Sequence, residues 1–156
     1  MSDFYIYLKV EDYLKNFLET NFGNPVRLIR DSPEARIIRQ FITTTPEGVI
    51  PDTGDGSDLR VVIPSFKEAD PRTYNYMGRR AKKALVDSFD HILKACLMKE
   101  LGALENSRRG DLSKQIYAWM EKYGIPEESW YTISQKYYRL RRKYLIEKNH
   151  ALFKNN

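Results

Sequence analysis

The stretch that decides the fold of the C-terminal third runs Trp130-Tyr-Thr-Ile133-Ser-Gln135-Lys136-Tyr137-Tyr138-Arg139-Leu140-Arg141-Arg142-Lys143-Tyr144. Trp130, Ile133, Tyr137, Leu140 and Tyr144 follow one another at steps of three, four, three and four. A helix turns about 100° per residue, so these five make one apolar stripe and predict a helix over 130–148 packed on a partner. The same rotation carries Arg139, Arg142 and Lys143 to the far side, with Thr132 and Gln135 among them and Lys136 and Arg141 flanking. Upstream, Leu112, Ile116, Trp119 and Tyr123 keep a helical period behind Asp111 or Ser113 as cap. Gly124 and Pro126 close that helix, Gly by accepting a left-handed backbone and Pro by lacking the N–H that continuation needs. The chain is therefore expected to end in a helical pair, 107–150, and a flexible tail, 151–156.

Residues 111–148, about a quarter of the chain, resemble a helix-turn-helix DNA-binding module. In the resemblance 113–123 is the supporting helix, 124–129 the turn and 130–148 the recognition helix. It implies that the second helix lies in the major groove while the first crosses the backbone. Gln135, Arg139 and Arg142 are then the candidates for base or groove contact, and Lys136 and Lys143 for phosphate. Arg suits the guanine edge, Gln the adenine edge, and Lys the backbone oxygens. Two features depart from the pattern. The second helix is long for the motif, and it starts with Trp130, where small polar residues are common. An antiparallel helical hairpin packed on a third helix would give the same spacing, so that alternative stands beside the resemblance.

Asp70-Pro71 repeats a cap-then-proline signal and predicts a long helix from 72 or 73 to 104, with Leu85, Phe89, Ile92, Cys96 and Leu101 on one face. Leu59–Ile63 is the clearest strand, and Phe4–Val10 reads as a strand or the lead-in to a helix. Glu11–Phe22 is helical, stopped by Gly23. Val26–Ile29 is a short strand. Ser32-Pro33-Glu34 starts another helix, with Ile37, Ile38 and Phe41 on one side. Pro46–Asp58 is a loop. The fold class is α+β, mostly helical: a small α/β part over 1–68, a long central helix over 69–106, and the helical pair.

The 156 residues carry 26 Lys and Arg against 21 Asp and Glu, a formal charge of +5. The excess is local. Residues 1–107 hold 15 basic and 16 acidic side chains, whereas 108–156 hold 11 and 5. A second cluster, Arg72, Arg79, Arg80, Lys82 and Lys83, has no acid between Asp70 and Asp87. Cations at the start of a helix oppose its dipole at a cost of a few tenths of a kcal/mol each, a conflict that phosphate contact would reverse. Arg79, Arg80, Lys82 and Lys83 are thus candidate phosphate contacts. If the helix begins earlier, they lie on its exposed face instead.

Composition narrows the classes. With 42% hydrophobic and 13% aromatic residues the chain can bury a core, which excludes general disorder. One cysteine excludes a disulfide framework and a multi-cysteine zinc site. No apolar run approaches the roughly 18 residues of a membrane span. Asp3, Lys9, Glu11 and Asp12 do not fit a signal peptide, so a cytoplasmic protein is expected. His91, with Asp87 and Asp90 near it, has no third ligand and reads as a surface histidine. Cys96 reads as a small buried hydrophobe. Asp52–Asp58 has the look of a calcium loop, but Gly54, Gly56, Ser57 and Ile63 occupy ligand or glycine positions wrongly. It reads as an acidic turn facing away from any polyanion. Phosphate-binding loop, nucleophile-elbow, paired-cysteine and nuclease signatures are absent. No catalytic residue, metal or cofactor is predicted.

The expectation is a non-enzymatic protein that binds nucleic acid, duplex DNA first, such as a regulator or accessory protein of a mobile element. The first two parts would form a scaffold and a homodimer face. A structural or protein-interaction module is the alternative from another class. Single-strand or RNA binding by stacking on Tyr131, Tyr138 or Tyr74 is a third.

Overall fold

The computed structural model describes residues 3–105 and 107–154. The fold is α+β and mostly helical, in two compact units, residues 1–90 and 91–156, with the division inside the long helix α3 (Arg79–Leu101).

In the first unit, β3 (Leu59–Val62) is central. It pairs antiparallel with β1 (Tyr5–Leu8), Leu8 opposite Leu59 and Tyr5 opposite Val62. On its other edge Val26 forms a parallel bridge, its N–H donating to Arg60 O at 2.8 Å and its carbonyl accepting from Val62 N at 2.9 Å. Of the expected strand 26–29, this bridge is all that forms. The period of two puts Ile6, Leu8, Leu59 and Val61 inside. Leu14, Phe17 and Leu18 of α1 (Asp12–Phe22), Ala35 and Ile38 of α2 (Pro33–Phe41), and Leu85 and Phe89 of α3 complete this core. Ser32 caps α2 as read, its Oγ accepting from Ala35 N at 3.2 Å. The inner face of α2 differs from expectation. Glu34, Ala35 and Ile38 are buried, Phe41 is exposed, and Glu34 accepts a hydrogen bond from the Ser88 hydroxyl.

The central helix is shorter than 69–106. Residues Tyr74–Tyr76 form β4, which pairs with β2 (Thr43–Thr44), and α3 begins only at Arg79. The Asp70-Pro71 signal closes a single turn instead: Asp70 accepts from the main-chain N of Arg72 at 2.9 Å and from its guanidinium at 2.8 Å. Gly102, at φ 62°, ends α3. Its buried positions are Leu85, Phe89, Leu93 and Leu97, while Ile92, Cys96 and Leu101 are only partly covered.

The second unit takes Leu93 and Leu97 from α3, Leu112, Ile116, Trp119 and Met120 from α4 (Arg109–Lys122), Tyr123 and Ile125 from the turn, and Ile133 and Tyr137 from α5 (Trp130–Lys154). The turn is sealed by Ile125 N donating to Met120 O at 2.9 Å, with Gly124 at φ 65°. A one-turn 3-10 helix, Glu127–Ser129, leads into α5. Helix α4 starts before either expected cap, with Arg108 at the cap position and no side-chain bond there. The tail expected at 151–156 is helical to Lys154; Asn155 and Asn156 lie outside the described residues.

Candidate nucleic-acid interface

Helix α5 has an inner and an outer side. Ile133, Ser134 and Tyr137 are buried, and Trp130 stacks on Tyr117 of α4 with ring centroids 5.3 Å apart. Tyr137 Oη donates to Gly102 O at 2.9 Å, and Arg141 Nε donates to Ala103 O at 2.6 Å. Both bonds tie α5 to the segment that follows α3. Arg141 is thereby drawn to the inner side, and Tyr144, expected in the stripe, is exposed. Ser134 replaces a hydrophobe inside because its hydroxyl donates to Tyr131 O at 2.9 Å and so needs no water.

The outer side carries Thr132, Arg139, Arg142 and Lys143, all exposed, with Gln135 and Lys136 half-buried at its edges. Helix α5 holds seven Lys and Arg against one acid, Glu147. Arg141 is used internally, and Lys148 pairs with Glu105 at 2.8 Å. Arg139, Arg142 and Lys143 have no salt-bridge partner among the described residues, so their charges project undiminished into solvent.

The second cluster lies in the other unit, on the first turns of α3. Arg79, Arg80 and Lys83 are exposed, and Lys82 is half-buried. Since α3 starts at Arg79 and its first turn holds no acid, the conflict with the helix dipole is real. Two of the four charges are met within the protein. Lys82 pairs with Asp52 at 3.2 Å and Lys83 with Asp87 at 3.1 Å. The acidic loop 52–58, expected to face elsewhere, therefore lies on this cluster. It is tightly turned, Asp52 accepting from Gly54 N at 2.9 Å and Asp55 from Ser57 N at 2.8 Å. The Gly54 amide, and next the Lys82 ammonium, hold the Asp52 carboxyl below the usual range despite some desolvation.

Three further residues border the cluster and were missed in the sequence. Tyr7, Tyr76 and Lys9 line a cleft of 660 Å³ with Arg79, Lys82 and Lys83. No local signal joins positions 7 and 9 to 82, and Tyr76 was hidden by the helix expected to start at 72. Of the tyrosines considered for stacking, Tyr131 is 69% exposed and Tyr74 37%. Tyr138 is half-buried against Tyr137, its hydroxyl oxygen enclosed without a hydrogen-bond partner among the described residues. Among the described residues no three His, Cys, Asp or Glu side chains cluster as metal ligands, and no helix is long and apolar enough to cross a membrane. No known protein family, curated protein or solved structure matches the chain.

Proposed function

We propose that the chain binds duplex DNA through the outer side of α5, as a non-enzymatic helix-turn-helix-like protein in a cytoplasmic setting. The carrying observation is that Arg139, Arg142 and Lys143 are exposed, with no salt-bridge partner among the described residues, on one side of a helix whose other side is anchored by Ile133 and Tyr137. An anchored helix presents its charges in a fixed row, and such a row favours a regularly charged polyanion over a small one. Gln135 and Thr132 bring hydrogen-bonding groups of the kind that read base edges into the same row. A regulator or an accessory protein of a mobile element is the role of this kind we favour.

The test is fluorescence anisotropy on a labelled random duplex between about 50 and 200 mM salt, where several phosphate contacts lower affinity steeply. Each lost phosphate contact should reduce the log–log salt slope by about 0.9, so the R139A/R142A/K143A variant should be both weaker and flatter in its salt response. Absence of binding at the low-salt end would sink the proposal. It would favour the interaction-module reading, which draws support from the exposed Ile146, Leu152 and Phe153 further along α5.

A further inference from the structure

We propose that the first unit binds a free ribonucleoside phosphate in the cleft at the start of α3. Two cavities, of 430 and 660 Å³, adjoin there and share Tyr7, Asp52, Tyr76, Met77 and Lys82 as their common wall. Each has the volume of a small-molecule site. Their chemistry is graded. The smaller is bordered by Phe4, Tyr5 and Ile50, with Thr45, Thr53 and Asn75 as neutral polar groups and with Asp3, whose carboxylate is paired with Arg27. Aromatic and aliphatic walls with a few hydrogen-bonding groups suit a heteroaromatic base. The larger adds Lys9, Arg79 and Lys83, so that with Lys82 four cations border it. Lys9 and Arg79 are exposed and carry no salt-bridge partner among the described residues. A phosphate placed here would pair with Arg79, and with Lys9 in competition with the nearby Asp52 and Asp55 carboxylates, at a first helical turn that holds no acid.

Asp52 stands where the two cavities meet, its carboxylate 3.2 Å from Lys82 Nζ. A carboxylate at this point repels a bare anion but accepts well from a sugar hydroxyl. The order aromatic wall, carboxylate, cations thus matches the order base, ribose, phosphate. An inorganic anion would leave the aromatic cavity unused and face Asp52 directly. A nucleoside would leave the cations unused. This site is independent of the outer side of α5, so the two proposals stand or fall separately.

The test is isothermal titration of the full chain with ADP, 2′-deoxy-ADP, adenosine and pyrophosphate, and with GDP, CDP and UDP in place of ADP. A nucleoside diphosphate should bind, with its nucleoside and pyrophosphate each at least about tenfold weaker. Arg79→Ala, at an exposed position that leaves folding intact by circular dichroism, should weaken binding about tenfold. Asp52→Asn should remove the preference for ribose over deoxyribose, and R139A/R142A/K143A should bind the nucleotide as the parent does. No binding of any of the four diphosphates overturns the proposal. So does pyrophosphate binding as tightly as ADP, or full affinity in both Arg79→Ala and Lys83→Ala. A 5′-phosphorylated single-stranded oligonucleotide that displaces ADP at lower concentration than ADP itself would assign the cleft to a strand end, and would equally overturn the free-nucleotide assignment.

Discussion

The Tyr137 hydroxyl donates to the main-chain carbonyl of Gly102 at 2.9 Å, joining the middle of α5 to the glycine that ends α3. The side chain is fully buried. Tyr137→Phe keeps the ring but leaves the Gly102 oxygen without this donor, and should cost about 1 kcal/mol. Tyr137→Ala should cost about 3–5 kcal/mol, because a cavity is added to the lost bond. Urea unfolding separates the two, the midpoint falling with an unchanged slope in each. A neutral Tyr137→Phe would show that the buried ring, not its hydroxyl, is what this residue contributes to holding α5.

Tyr123 and Glu100 should make stability fall at both ends of the pH scale. Glu100 accepts from Lys122 at 2.8 Å and from the Tyr123 hydroxyl, and these two partners, in that order, hold its carboxyl below the usual range. A depressed folded pKa gives stability that is complete above the unfolded value and is lost as pH falls through the folded one. Tyr123 is shifted the other way, raised chiefly by burial and then by Cys96, whose Sγ lies 3.3 Å from the hydroxyl oxygen. An acid with a raised folded pKa gives stability that is complete below its unfolded value, about 10, and is lost as pH rises beyond it. Melting temperature followed from pH 3 to 11 should show an acid limb that Glu100→Gln flattens and an alkaline limb that Tyr123→Phe flattens. Unaltered limbs in the two variants would assign the pH dependence elsewhere.

The parts legible in the sequence are those in which one local rule acts alone. The inward Ile133 and Tyr137 of α5 followed from helical period, the α2 start from Ser32-Pro33, and the α4 stop from Gly124, each confined to a few consecutive residues. What escaped depends on partners far along the chain. Tyr74–Tyr76 is too short to show a period of two and is a strand only because Thr43–Thr44 lies opposite. Asp70 looked like a helix cap because its carboxylate does cap a turn, one whose other contact is the Arg72 side chain. Within the candidate interface, the outward Arg139, Arg142 and Lys143 were readable, whereas the inward turn of Arg141 required the Ala103 carbonyl to be in reach. The neutralisation of Lys82 by Asp52, across 30 positions, had no local trace.

Gly54 is a position where only glycine fits. Its φ is 66°, and a Cβ built there would overlap the ring of Tyr7. Gly54→Ala must therefore bear left-handed strain of roughly 1–2 kcal/mol and also push aside a half-buried ring on β1. We expect a loss of stability of at least about 1 kcal/mol, together with weaker nucleotide binding, since Tyr7 and Asp52 both border the cleft. Gly56→Ala, in the same loop with open space around it, is the control and should change stability by less than about 0.5 kcal/mol. Equal effects in the two variants would mean that the Tyr7 contact does not restrict the loop.

Trp130 departs from the small polar residue common at the start of a recognition helix, and its environment gives the reason. Its ring lies 5.3 Å from that of Tyr117 at an interplanar angle of 17°, so it fastens α5 to α4 by stacking. Its Nε1 is enclosed with no hydrogen-bond partner among the described residues. Trp130→Phe retains a ring on Tyr117 and removes a donor whose burial costs about 1–3 kcal/mol, which offsets the apolar area lost. Its stability should therefore stay within about 1 kcal/mol of the parent. Trp130→Ala loses the stack as well and should be clearly destabilised. A double-mutant cycle with Tyr117→Ala should return a coupling of about 0.5–1.5 kcal/mol. Because Arg139, Arg142 and Lys143 lie on the other side of α5, Trp130→Phe should also leave duplex affinity and its salt slope unchanged. A coupling near zero would mean that the rings touch without fastening the helices. Loss of DNA affinity in Trp130→Phe would mean that the indole, rather than the charged row alone, meets the duplex.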